Sequence, residues 1–195
     1  MNYLAHAYLA GPLAADRIGG VIGDFVKGPL PAGLGDALAA GVSLHRRIDS
    51  FADSHPAFRR SRARISDARR RVSGVMVDMF YDHLLALHWA HFSPEPLAGF
   101  TADTYRLIAA CAEPLPASFA PVFERMAAHD WLASYRDAAN VALALDRMAR
   151  FRLHRPNPLA GAGDELHAAF DGLQADFFAF IPDALAFAAQ VRASR

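Results

Sequence analysis

The sequence predicts an all-α fold, a single-domain helical bundle spanning residues 1–195, and three observations lead there. The hydrophobic fraction is 53% and is dominated by Ala, with Leu and Phe behind it, rather than by the Val, Ile and Thr that favour strands. Apolar residues recur at helical spacing in successive segments. Pro and Gly clusters separate those segments at helix-length intervals, and strand-like alternation is absent.

Residues 2–10 read as a short apolar helix that Gly11-Pro12 closes, and a second helical stretch runs from Ala14 to Lys27 before Gly28-Pro29-Leu30-Pro31. From Leu34 to Ser54, Leu38, Val42, Ile48 and Phe51 fall on one face. The helix closes at His55-Pro56 because a residue before proline is biased out of the α region. Residues 56–72 continue as a helix with Pro56 in its first turn, where the missing N–H costs little. Residues 75–92 form a long apolar helix stopped by Ser93-Pro94-Glu95-Pro96. Further helices are expected from Leu97 to Cys111, Ser118 to Ala128 and Tyr135 to Arg152. Arg155 to Gly163 reads as loop, and 164–193 as a last helix bent at Pro182.

Twenty basic residues balance twenty acidic ones, so whole-molecule attraction to nucleic acid is not expected. Cys111 has no partner for a disulfide, no secretory signal pattern opens the chain, and no run approaches about 18 uncharged apolar residues. A cytoplasmic location without a membrane span is the expectation.

The chemistry-bearing residues lie at helical spacings. Residues four apart sit about 40° apart on one helix face, so His45 with Asp49, and Asp78 with Asp82, can each address a common centre. The neighbours of Asp78 and Asp82 are apolar nearly all round the helix, so two carboxylates there need a cation or an arginine between them. His83 adjoins Asp82, Asp24 ends an apolar helix within Gly23-Asp24-Phe25-Val26-Lys27-Gly28, and His6 interrupts the first helix. Imidazole and carboxylate donors without thiolate suit a borderline-to-hard divalent ion. Mn²⁺ comes first, with Mg²⁺, Fe²⁺, Co²⁺ or Zn²⁺ as alternatives. Hydrolysis of a phosphate ester is the natural use of such an ion. His88 and His91, beside Trp89 at a helix end, read as structural, and Asp130 of His129-Asp130 reads as a helix N-cap.

Seven arginines, at positions 59, 60, 62, 64, 69, 70 and 71, exceed the acidic partners near them in sequence. They read either as a solvated face or as a surface for an acidic protein or a phosphate-bearing ligand.

With these residues in view, the chain resembles the acyl carrier protein phosphodiesterase family, a branch of the His-Asp (HD) metal-dependent phosphohydrolases. The likeness rests on Asn2-Tyr3-Leu4-Ala5-His6, the 23–28 segment, His45-Arg46-Arg47-Ile48-Asp49, Asp78-Met79-Phe80-Tyr81-Asp82-His83-Leu84-Leu85, 131–137 and the aromatic residues Phe177, Phe178 and Phe180. The resemblance implies an HD-like helical fold. It also implies Mn²⁺-dependent hydrolysis of the phosphodiester between 4′-phosphopantetheine and a serine of holo acyl carrier protein. Asp24, His45, Asp49, Asp78, Asp82 and His83 are then the expected metal shell, with Asp24, His45, His83 and His6 as catalytic residues. Lys27, Arg46, Arg59, Arg62, Arg69 and Arg70 are the expected contacts to the acidic carrier. The alternatives are a phosphohydrolase acting on a nucleotide or another small ester, and a non-enzymatic helical binding protein.

Overall fold

The computed structural model describes residues 1–151 and 157–195. Every regular element among the described residues is helical, as the Ala-rich composition predicts. Helices α1 (Tyr3–Leu9), α2 (Ala14–Ile22) and α3 (Asp36–Ser54) form one wall. Helix α4 (Pro56–Arg64) leads through a 3-10 turn at Asp67–Val72 into α5 (Ser73–Leu87), and α6 (Trp89–Phe92) follows. Helices α7 (Leu97–Ala109), α8 (Ala120–Ala128), α9 (Trp131–Ser134) and α10 (Ala138–Phe151) cover the next face. The chain ends in α11 (Asp164–Ala168) and α12 (Phe170–Ala193).

Helix α5 is the core element. Met76, Val77, Met79, Phe80, Tyr81, Leu84, Leu85 and Ala86 are all buried, and α1, α4, α10 and α12 pack around them. A helix apolar nearly all round has nowhere else to go in water, because each buried Leu or Phe side chain contributes about 1.5–3 kcal/mol.

Helices α2 and α3 approach backbone to backbone. A Cβ on Gly19 would lie 2.4 Å from the Gly41 carbonyl carbon, and one on Gly41 would lie 2.5 Å from the Ala15 carbonyl oxygen. No larger residue fits that crossing. It fixes the face of α3 that carries His45, four residues beyond Gly41.

Several expected boundaries shift for identifiable reasons. The 56–72 helix breaks at Ile65, whose extended backbone (φ −71°, ψ 137°) carries its side chain into the core at 1% exposure. The 75–92 helix begins two residues early and breaks at His88 before α6. The second helix ends at Ile22, with a 3-10 turn at Gly23–Phe25, so Lys27 lies outside it. The helix expected over 135–152 begins at Ala138, after a separate helical turn at Trp131–Ser134, and Arg152 together with the start of the Arg155–Gly163 loop lies outside the described residues. The 164–193 stretch divides at Ala169, and α12 continues through Pro182.

By length and composition α12 is long and apolar enough to cross a membrane, with 24 residues and a mean hydropathy of 1.2 in its most apolar window. One face of it packs into the bundle. Leu173, Phe177, Phe180, Ile181, Ala184 and Ala188 are buried in the bundle. Asp176, 2% exposed, accepts hydrogen bonds from the Nε atoms of Arg60 and Arg64 at 2.8 Å each, and Ser61 Oγ donates to it at 3.3 Å. A buried carboxylate held by two guanidinium groups is a latch between α4 and α12.

Candidate metal centre

Three elements converge on one cluster. Helix α1 supplies His6, α3 supplies His45 and Asp49, and the 3-10 turn after α2 supplies Asp24. The imidazole rings of His6 and His45 stack with centroids 3.8 Å apart. Asp49 meets both: Oδ1 lies 3.0 Å from His6 Nε2, and Oδ2 lies 3.2 Å from His45 Nε2. One ligand atom from each of His6, His45 and Asp49 can be chosen so that all lie within 4.8 Å of one another. Asp24 Oδ1 adds a fourth oxygen 3.5 Å from His45 Nε2, and Asp24 is the most exposed of the group.

The orientation of His45 is set from α2. Its Nδ1 donates to the Gly20 carbonyl at 2.8 Å, which leaves Nε2 facing Asp24 and Asp49. A ring nitrogen bonded to a backbone carbonyl, with the other nitrogen free, is the usual arrangement of a metal-binding histidine. Gly23 leaves room for the ring, since a Cβ there would lie 2.3 Å from His45 Cγ. His6 Nδ1 is buried without a hydrogen-bond partner.

Charge is concentrated here. The Met1 ammonium lies between Asp49 Oδ1 and Asp78 Oδ1, at 2.9 Å from each. Burial works against that charge, yet Asp78 and Asp49 hold the ammonium pKa up at about 11. Burial likewise opposes a charged His45, but hydrogen bonds to Asp24 and Asp49 raise it to about 9. Burial pushes His6 down to about 3, and the neighbouring His45 charge acts in the same direction. Asp24 is lowered by its hydrogen bond to His45. Burial would raise Asp49, but hydrogen bonds from His45 and His6 hold it well below the carboxylate range. Asp78 is raised, chiefly by burial.

This carboxylate set draws positive charge inward, and the proton it places on His45 is one that a bound cation would displace. Two imidazoles and a carboxylate within reach of one point, with Asp24 beside them, fit a divalent ion of the borderline-to-hard class.

The sequence-predicted residues do not all meet here. Asp78 joins the edge of the cluster through the Met1 ammonium. Asp82, one turn further along α5, is directed elsewhere: its two oxygens accept from the amides of Leu4 and Ala5 at 2.9 Å each. Helix α1 receives no side-chain cap from Asn2, so Asp82 supplies it across the core. His83 also stands apart, with Nδ1 donating to the Tyr135 carbonyl at 2.8 Å.

The arginines are more committed than their sequence neighbourhood suggests. Arg60 and Arg64 hold Asp176, and Arg69 holds Glu165 at 2.9 Å and the carbonyls of Pro158 and Ala160. Arg70 pairs with Asp67. Arg46 spans the carbonyls of Val26 and Gly28, and Lys27 donates to the Asp24 carbonyl. Arg59 and Arg62 both reach Asp53, through its carbonyl at 3.0 Å and its carboxylate at 3.6 Å. Asp53 in turn lines a cavity of about 390 Å³ that Asp24, Asp49 and Asp78 also line.

The residues that sequence reasoning missed are Gly20 and Gly23. Their signal is the run of glycines at 19, 20 and 23, facing Gly41 and His45 on the next helix.

Comparison with known proteins bears on this geometry. The family profile described as "Acyl carrier protein phosphodiesterase" matches residues 1–184. The chain belongs to the acyl carrier protein phosphodiesterase family. A relative of that name from Salmonella dublin is 32% identical over 191 residues, covering 97% of this chain and 98% of its own. Another, from Escherichia coli O45:K1, is 32% identical over 183 residues, covering 93% and 94%. No solved structure matches the chain. Family membership together with the buried His6–His45–Asp49 group supports a metal-dependent hydrolase.

Proposed function

We propose that this protein hydrolyses the phosphodiester linking 4′-phosphopantetheine to serine in holo acyl carrier protein, leaving the apo carrier and free 4′-phosphopantetheine. The proposal includes Mn²⁺ as the working ion, an HD-like arrangement of the helices around it and a cytoplasmic setting. The observation that carries it is the convergence of His6, His45 and Asp49 from two helices, in a chain whose relatives are named acyl carrier protein phosphodiesterases.

His6, His45 and Asp49 would hold the ion, which polarises a phosphoryl oxygen and lowers the pKa of a bound water. The Gly20 carbonyl keeps His45 Nε2 turned inward throughout the cycle. Asp24, the exposed member, stands where it can accept a hydrogen bond from the attacking water and set its direction. The Met1 ammonium offsets the charge of Asp49 and Asp78 at the base of the cluster. Arg59 and Arg62, beside Asp53 at the cavity, present positive charge to an acidic carrier.

Intact-mass measurement of holo carrier incubated with the protein tests the reading, with Mn²⁺ and with chelator in parallel. Loss of the phosphopantetheine mass only in the presence of metal is the expected result. An unchanged carrier in both arms removes the proposal.

A further inference from the structure

The cavity beside the centre has a lining the proposed chemistry has not yet used. Beyond its carboxylates it is bounded by Phe58 of α4, Val75 and Met79 of α5, Met148 of α10, and Leu159. Phe58, Met79 and Leu159 are core residues with at most 2% exposure, so this part of the lining is rigid. Val75 is 41% exposed at its edge. No Lys, Arg or His side chain lines the cavity among the described residues. Its cationic group is the Met1 ammonium, already bonded to Asp49 and Asp78.

Such a lining selects its occupant. An anion entering it meets Asp49, Asp53 and Asp78 with no free cation to offset them, so the several phosphates of a nucleotide are disfavoured. A wholly apolar chain displaces water from the carboxylate oxygens that Met1, His6, His45 and Arg62 leave open, which is costly. A neutral chain with both N–H or O–H donors and apolar stretches satisfies both parts. A volume of about 390 Å³ falls at the lower end of the range for small organic ligands, about 300–1,000 Å³.

We infer that this cavity binds the pantetheine arm of the substrate. The inference rests on the reaction proposed above. The gem-dimethyl and methylene groups of the arm pack on Phe58, Met79, Met148 and Leu159, and its hydroxyl and amide N–H groups donate to Asp53 and Asp78. Asp24 and Asp49 belong both to the cavity lining and to the centre, so an arm seated here carries its phosphorus toward His6 and His45. The carrier then remains outside, on the side where Arg59 and Arg62 lie beside Asp53.

Ligand-observed saturation-transfer NMR with free pantetheine on the metal-free protein tests the subsite without requiring turnover. Saturation should reach the gem-dimethyl protons in the native protein and be lost in Val75→Trp. Because Val75 is partly exposed, the indole can enter the cavity without a core position being rebuilt. Met148→Trp is the second variant, and circular dichroism confirms that each is folded. In parallel, KM for holo carrier should rise about tenfold or more in Val75→Trp, as expected when an arm is displaced from an apolar pocket. Equal transfer in the folded variants, no transfer in the native protein, or stronger transfer to adenosine monophosphate than to pantetheine would each overturn the assignment. Pantetheine binding that Val75→Trp abolishes, in a protein that leaves holo carrier intact, would support the subsite and sink the hydrolysis reading.

Discussion

At the scale of residues, the centre depends on atoms that carry no functional group. His45 is aimed by the Gly20 carbonyl, and its ring occupies space that only glycine at 23 leaves open. A methyl group at position 23 would fall within 2.6 Å of three ring atoms, well inside contact distance. Gly23→Ala should therefore lower Mn²⁺ affinity about 10–100-fold, the usual cost of disturbing the support of a metal-binding histidine. Gly74→Ala, where nothing lies within 4 Å of the added carbon, should bind as the native protein does. Calorimetric titration of both variants decides it, and equal affinities would show that the ring can relax. The pairing of His45 with Asp49 was legible in the sequence because a spacing of four fixes two side chains on one face. The same spacing in Asp78 and Asp82 did not translate into a shared centre. Asp82 is claimed by the amides of Leu4 and Ala5, 78 and 77 positions away, and local periodicity carries no information about such a partner.

At the scale of elements, that claim ties α1 to α5 and makes the attachment sensitive to pH. Burial raises the Asp82 pKa to about 7, although the two amides pull it down. In the unfolded chain an aspartate titrates near about 3.9. The folded protein thus keeps a proton that the unfolded chain gives up. The stability linked to it is fully present below about pH 4 and is lost as pH rises through 7. The stability of the native protein relative to Asp82→Asn should accordingly fall by on the order of 1–3 kcal/mol between pH 5 and 8. Urea unfolding at the two pH values measures the difference, and a gap that stays constant or widens would mean that Asp82 is ionised throughout. Among the helices, α3 was the most legible, expected over 34–54 and found over Asp36–Ser54, because its apolar stripe and the following Pro56 mark both face and end. The 56–72 stretch was misjudged at Ile65. Nothing local forbids helix there, and the break comes from the place that Ile65 takes in the core.

At the scale of the whole molecule, the proposed recognition of an acidic carrier by a neutral protein requires a local field, so it matters which arginines serve the fold and which face outward. Sequence position alone groups all seven together. The structure separates them through contacts that span more than a hundred positions: Asp176 takes Arg60 and Arg64, and in doing so fixes α12 against α4. Arg59 donates to the Asp53 carbonyl, and Arg62 reaches the Asp53 carboxylate and, at 3.3 Å, Ser73 Oγ, beside the cavity that opens onto the centre. Reversing charge in the two sets should therefore give opposite phenotypes. Arg59→Glu with Arg62→Glu should slow association with an acidic carrier about tenfold or more at low ionic strength, an effect that fades as salt screens it, while the unfolding midpoint stays near native. Arg60→Glu with Arg64→Glu leaves Asp176 buried beside two new carboxylates. It should destabilise the fold by several kcal/mol, of the order of about 3–5 for a broken buried pair. Stopped-flow association across a salt series and chemical unfolding of both double variants measure the two effects. If the first pair leaves the association rate untouched at low salt, the carrier docks on another face, and the positive charge beside Asp53 serves the fold alone.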